Sequence, residues 1–273
     1  PDFVLVGESD ARAGELLESF YNALFDEPRP IQRMAIANAE LTKLAINTYV
    51  TMKISFANTL ADICQRLPGG DVDVVSAAVG LDSRIGRKYL KGALGYGGPC
   101  FPRDNQALSY LGRSRGVETL LAESTDVLNR RRVGELVDWL EPRLSGRRRV
   151  SVLGLAYKPD TDVIEQSQGL ELARELASRG YEVTVFDQKA IERARGVLAE
   201  SVTYAPSLAA AVETSEAVII ANGDPEFAAL TAADLAPGSD PVLVVDCWRL
   251  LRKTLADSER VQYAAIGLGE VPA

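Results

Sequence analysis

The sequence contains no histidine among its 273 residues. That removes the Ser-His-Asp triad and every imidazole-ligated metal site, and leaves Cys, Lys, Asp, Glu, Tyr and Arg for any chemistry. Cysteine is scarce: Cys64, Cys100 and Cys247 stand far apart. They form no C-x-x-C pair, and an odd count speaks against a disulfide framework, so a reducing cytoplasm is the expected setting. No apolar run approaches the ~18 residues of a membrane span, so no membrane partner is expected. Basic residues are in deficit, with Lys+Arg 30 against Asp+Glu 38 and a net charge of −8. A nonspecific nucleic-acid binder is usually basic, so nucleic acid is not expected as a partner. The chain starts Pro1-Asp2 with neither Met nor a signal-peptide pattern. With 47% hydrophobic and 25% charged residues, the composition is that of a globular protein of about two domains.

Three regions follow one another. Phe3 to Val6 is a β-type run, and Ala11 to Phe25 has helical spacing at Leu16, Leu17, Phe20 and Leu24. One strand and one helix cannot form a domain, so for residues 1–30 either further residues precede them or the strand joins another sheet. Residues 31–145 read as helical. Ile31 to Arg66 has no Gly and no Pro, and a helix of that length would run about 50 Å. Its apolar residues fall on nearly every face, which predicts burial in a bundle or a subunit interface. A short helix is predicted at 71–79, and further helices at 105–115 and 118–144. Residues 146–273 alternate strand and helix, with strands at 150–155, 182–187, 217–221 and 242–246. That alternation predicts an α/β fold, a doubly wound parallel sheet with its ligand crevice at the carboxyl ends of the strands.

The segment Leu90 to Asp104 holds four glycines and two prolines, which lets its backbone approach a ligand closely. Cys100 stands just before a predicted helix start, beside Arg103, and both features favour thiolate over thiol. A cysteine in such a loop is either structural or a nucleophile. Asp104 is either the N-cap of the following helix or a base near the sulfur. Cys64 and Cys247 read as structural thiols. Lys43 and Asn47, at i,i+4, share one helix face, continued by Ile54 and Asn58. They are either a solvated polar stripe or a buried pair able to stabilise an oxyanion.

Three motifs in order resemble the UDP-glucose/GDP-mannose dehydrogenase family. Ala39-Glu40 to Asn47 is similar to its A-E-x-x-K-x-x-x-N helix. Arg84-Ile85-Gly86 followed by Gly95-Tyr96-Gly97-Gly98-Pro99-Cys100-Phe101-Pro102-Arg103-Asp104 is similar to its R-I-G and G-[FY]-G-G-x-C-[FL]-P-K-D signature. Gly154 to Asp162 is similar to its G-x-[AS]-[FY]-K-x-x-T-D turn. The resemblance implies an N-terminal Rossmann domain for NAD, of which residues 1–30 would be the remnant, a central all-helical dimerisation domain at 31–145, and a Rossmann-like domain for the nucleotide sugar at 146–273. It implies a four-electron oxidation of a sugar C6 alcohol to the acid, of the UDP-glucose to UDP-glucuronate type. Cys100 would carry the thiohemiacetal and thioester, with Lys43, Asn47 and Asp104 as its catalytic partners. Arg84, Tyr89, Lys91, Tyr96, Gly97, Tyr157 and Lys158 would bind substrate, Arg84 from across a homodimer, and Arg103 would face the cofactor.

No G-x-G-x-x-G occurs in the chain, and Gly154-Leu155-Ala156 offers one glycine where that fingerprint has three. Asp187 ends the second strand of the sheet as a ribose-binding acid would, but without that loop. NAD is therefore expected to bind mainly outside these residues, and the alternative is a non-oxidising dimeric module that binds a sugar nucleotide. The family pattern also breaks in three places. Arg103 stands for the usual Lys, Glu165 stands where an Arg is expected, and Asp246-Cys247-Trp248-Arg249 stands for D-G-R-x. Arg249 is then expected to serve the base one position later.

Overall fold

Val4–Glu8 (β1) and Ile31–Ala35 (β2) pair in parallel, Val4 opposite Ile31, with Ala11–Leu24 (α1) as the crossover. Parallel neighbours need such a crossover. Asp10 caps α1 by accepting from the Ala13 amide at 2.9 Å. The strand at 31–35 corrects the helix expected from Ile31. Ile31-Gln-Arg-Met-Ala has no helix breaker, but β1 offers it a ladder, and tertiary pairing overrides propensity. The computed structural model describes residues 2–235 and 241–270, and residues 1, 236–240 and 271–273 lie outside that description.

A helical layer follows: Ile36–Gln65 (α2), Val72–Val79 (α3), Phe101–Ser114 (α4) and Leu120–Leu140 (α5). The long helix α2 has 30 residues, so it spans about 45 Å. Its inward face is mostly polar: Asn47, Thr48, Thr51, Ser55 and Asn58 are buried, whereas Ile46, Tyr49, Phe56 and Ile63 are exposed. A helix presenting apolar residues outward is suited to a further partner.

The last third is a six-stranded sheet. Arg149–Leu153 (β3), Gln168–Ser178 (α6), Glu182–Phe186 (β4), Ile191–Leu198 (α7), Thr203–Tyr204 (β5) and Leu208–Val212 (α8) come first. Ala217–Ile220 (β6), Val242–Asp246 (β7), Arg252–Leu255 (α9) and Val261–Ala265 (β8) complete it. The order is β5-β4-β3-β6-β7-β8, all parallel, which is the expected α/β doubly wound sheet. The chain reverses direction across the sheet between β3 and β6, which puts the crevice at their carboxyl ends. Alternate residues feed opposite faces, as a period of two requires. Ile219 and Val245 join a core with Cys64, Val133, Leu136 and Leu140 of the helical layer. Ile220 and Val244 join a second core under Phe227 and Leu255. Helical layer and sheet therefore share one continuous interior. Among the described residues no helix is long and apolar enough to cross a membrane.

Candidate active site

Residues 90–100 form no helix or strand, yet Leu90, Ala93, Leu94 and Tyr96 are buried. Buried peptide groups require partners, and here side chains of two helices supply them. Asn58 accepts from the Ala93 amide (2.9 Å) and donates to the Leu94 carbonyl (3.1 Å). Asn129 does the same for both groups of Tyr96, at 2.8 and 2.9 Å. Arg132 donates twice to the Ala93 carbonyl and once to Asp62. Asn129 and Arg132 escaped the sequence reading. Their signal is a polar i,i+3 stripe, Asp126-Asn129-Arg132, on the inward side of α5.

The loop then meets the C-terminal sheet. The Gly98 amide donates to the Glu165 carbonyl at 2.8 Å. Gly98 has φ +82°, and an added Cβ would lie 2.6 Å from the Tyr157 ring, so only glycine fits. Gly97 faces the Gln166 carbonyl in the same way. Tyr157 thus abuts the loop, and the Lys158 ammonium lies 5.6 Å above its ring.

Cys100 is exposed and occupies the N-cap of α4 with no side-chain capping bond. The helix begins at Phe101, earlier than the sequence suggested, because Pro102 suits its first turn. Asp104 is therefore not the N-cap; it sits in the first turn, where its amide donates to the Cys100 carbonyl at 2.8 Å. One turn separates the thiol-bearing residue from a buried carboxylate. Asp104 Oδ2 accepts from Lys43 (3.2 Å) and Asn47 (2.6 Å). Its Oδ1 accepts from Arg103 Nε and Nη2 at 3.2 and 3.1 Å. The Arg103 guanidinium is thus turned to Asp104 rather than reserved for the sulfur. Burial acts to raise the Asp104 pKa, but the bonds from Lys43, Asn47 and Arg103 outweigh it and hold the carboxyl below its usual range.

A lowered folded pKa contributes stability that is full above the unfolded value and lost as pH falls through the folded one. The urea stability gap between the wild type and Asp104→Asn should therefore be largest at neutral pH and shrink below about pH 4. Equal gaps at pH 7 and pH 3 would show that Asp104 does not stabilise the fold through its charge.

Beside this cluster opens a cleft of about 1140 Å³, running from Gly7 at the end of β1 to Lys43, Arg103 and Asp104. Leu44, Leu108 and Leu111 give it apolar walls, and Arg115 adds a cation. That mixture suits a flat ring with a nearby anionic group. In the C-terminal sheet, Asp187 stands just past the end of β4. Asp187 spends one oxygen on the Leu155 and Ala156 amides and the other on those of Lys189 and Ala190.

The remaining residues singled out from the sequence divide. Tyr89 (φ +67°) sets its ring edge-on to Phe101. Lys91 points its ammonium toward Asp73, 3.8 Å away. Arg84 is exposed and folded onto Asp82, and Lys53 donates to the Ile85 and Gly86 carbonyls beneath it. Tyr96, expected to touch substrate, is 4% exposed. Its hydroxyl accepts from Asn105 and donates to Asp126. Burial pushes the phenol pKa up, and the side chain belongs to the scaffold beneath the loop. Arg249, expected at the base, is buried instead between Asp73 and the loop. Trp248 lies at the end of β7 and donates to the Ala221 carbonyl.

A helical layer with an exposed cysteine at a helix N-cap, packed on a doubly wound sheet, defines the class. Residues 37–131 match the central domain of the UDP-glucose/GDP-mannose dehydrogenase family, and residues 151–253 match its UDP binding domain. The chain belongs to that family. It is 36% identical over 224 residues to UDP-glucose 6-dehydrogenase TuaD of Bacillus subtilis (strain 168), covering 81% of this chain and 48% of that protein. To UDP-glucose 6-dehydrogenase of Rhizobium meliloti (strain 1021) it is 32% identical over 272 residues, covering 98% and 62%. The structure of a UDP-glucose dehydrogenase from the archaeon Pyrobaculum islandicum superposes with a TM-score of 0.85 at 38% identity, covering 98% of this chain and 59% of that one. The chain thus spans roughly half to three-fifths of the length of these relatives.

Proposed function

We propose that this chain forms the substrate site and nucleophile of an NAD-dependent UDP-glucose 6-dehydrogenase. The observation that carries the reading is the start of α4: exposed Cys100 at its N-cap, one turn before a buried carboxylate that also holds Lys43 and Asn47. Two molecules of NAD, bound one after the other, would each supply a hydride acceptor: one for the oxidation of the C6 alcohol to the aldehyde, one for the oxidation of the thiohemiacetal to the thioester. Arg103 and the apolar walls of the cleft would hold one end of each.

The chain's own residues do the rest. The Cys100 thiolate adds to the C6 aldehyde, and the carbonyl oxygen takes up the charge. Lys43 has three N–H groups and the Asn47 amide two, so each has a donor left for that oxygen after serving Asp104. The thiohemiacetal becomes a thioester, and water then releases the acid and restores the thiol. A carboxyl as acidic as Asp104 is a weak base, so its role is to orient that water and fix the Lys43 ammonium. This chemistry needs a free thiol at Cys100, which supports a reducing, cytoplasmic setting. The exposed apolar face of α2 and the exposed Arg84 support a homodimer in which Arg84 reaches the partner's site.

A second reading, a sugar-nucleotide-binding module without oxidation, is favoured by Asp187. Its four hydrogen bonds commit both oxygens of the acid at the end of β4, the position where a dinucleotide ribose would be held.

Both readings place the nucleotide between the Cys100 loop and the sheet, where Tyr157 meets Gly98. A pyrophosphate needs cations from more than one side, and Lys158 and Lys91 supply them. Calorimetry with UDP-glucose tests this. Lys158→Ala should weaken binding by roughly 1.5–3 kcal/mol, the usual value of a charge-assisted hydrogen bond, and leave uridine nearly unaffected. Equal losses for both ligands would make Lys158 a support of the fold and move the site.

A further inference from the structure

Arg249 occupies the turn after β7 with φ +59°, a region costly for a residue with a branched or long side chain. Such a conformation persists only where the surroundings over-determine it. Here they do. The side chain is 1% exposed. Nε and Nη2 form a fork on Asp73, at 2.7 and 3.0 Å. Nη2 also donates to the Lys91 carbonyl, and Nη1 to the Gly92 and Ile266 carbonyls, each at 2.8 Å. All five N–H groups are thus engaged across α3, the start of the Cys100 loop and the end of β8.

The Lys91 ammonium stands 3.8 Å from Asp73 Oδ1, the same oxygen that Arg249 Nη2 holds. Two cations compete for one carboxylate. The fork on Arg249 is short and buried, whereas Lys91 is long, exposed and only loosely paired. Arg249 therefore satisfies Asp73 first.

We propose that Arg249 is a positioning residue: it neutralises Asp73 and fixes the 91–92 backbone, so that the Lys91 ammonium is left free for the sugar nucleotide. This inference rests on the site proposed above. Removing the guanidinium would let Asp73 capture Lys91 and withdraw it from the ligand. Removing the carboxylate as well would release it again.

Four proteins decide the matter: wild type, Arg249→Gln, Arg249→Lys, and Arg249→Gln combined with Asp73→Asn. Two readouts are taken on each. One is UDP-glucose affinity by calorimetry. The other, without nucleotide, is the rate at which acetic anhydride labels Lys91, read by mass spectrometry. Arg249→Gln should slow labelling about threefold and weaken UDP-glucose about tenfold, since an ion-paired amine is both less nucleophilic and less available. Adding Asp73→Asn should return both to within about threefold of wild type, a coupling of opposite sign to simple damage. Arg249→Lys keeps the charge without the fork, so labelling should stay at the wild-type rate. It decides the question should the glutamine variant not fold. Unchanged labelling in Arg249→Gln overturns the proposal, as does a double variant weaker than the single one or slowed labelling in Arg249→Lys. Failure of the wild type to bind UDP-glucose would overturn the substrate site alone, because the labelling rates still decide how charge is shared.

Discussion

Replacing Cys100 with serine is expected to abolish acid formation while UDP-glucose still binds within about tenfold of wild type. The two effects separate because the thiol does chemical work and no structural work. Cys100 is exposed, makes no capping bond and lies at the N-terminus of α4. A serine is nearly isosteric, and the backbone of Cys100 is helical (φ −101°, ψ −56°) with no side-chain cap to lose, so the fold should be unchanged. The chemistry is different. A hydroxyl is scarcely ionised near neutral pH, and a serine ester is a poorer acyl donor to water than a thioester, so a fall of ~10³-fold or more is expected. The assay is acid production in a form of the protein that reduces NAD, with UDP-glucose affinity measured in parallel. Acid formed at the wild-type rate would remove Cys100 from the mechanism. Loss of binding together with turnover would make it part of the substrate pocket instead.

Much of this site is written in local spacing, and that part is legible. Lys43 and Asn47 share a helix face at i,i+4, and Asp104, in the first turn of α4, follows the N-cap Cys100 by four residues. The structure joins the two pairs through bonds of 3.2 and 2.6 Å to Asp104. The strands β3, β4, β6 and β7 are continuous apolar runs, as buried parallel strands are. What stayed hidden depends on partners distant in sequence. Ile31–Ala35 is a strand only because Val4–Glu8 lies beside it. Thr203–Tyr204 is too short to carry a pattern, and Val261–Ala265 is an edge strand whose residues vary in burial. Arg249 reads as a base-binding cation through the resemblance of Asp246 to Arg249 to the family's D-G-R-x pattern. Its acceptors at Asp73 and Gly92 are brought to it by the fold alone. Tyr96 is expected at the substrate through the family resemblance, but Asn105 and Asp126 draw its hydroxyl inward.

The loop that carries the nucleophile has no ladder of its own, so its order must come from side chains, and Arg132 is the most heavily committed of them. Its guanidinium is buried, with Nε and Nη2 at 3.1 and 2.9 Å from the Ala93 carbonyl and Nη1 at 2.5 Å from Asp62. Arg132→Ala removes both donors from a buried carbonyl, leaves Asp62 without its cation and opens a space beside Leu136. Losing one member of a buried charged network typically costs about 3 kcal/mol or more. Asp62 keeps some access to water, so the lower end of that range is expected. Arg132→Lys should recover less than half of the loss, because a single ammonium cannot reach the carbonyl and the carboxylate with a planar fork. Urea unfolding of the three proteins measures this directly. A loss below about 1 kcal/mol for the alanine variant would mean that Asn58 and Asn129 hold the loop unaided. A loss near 3 kcal/mol, with faster alkylation of Cys100 in the folded variant, would tie the order of the nucleophile's loop to a side chain on the opposite helix.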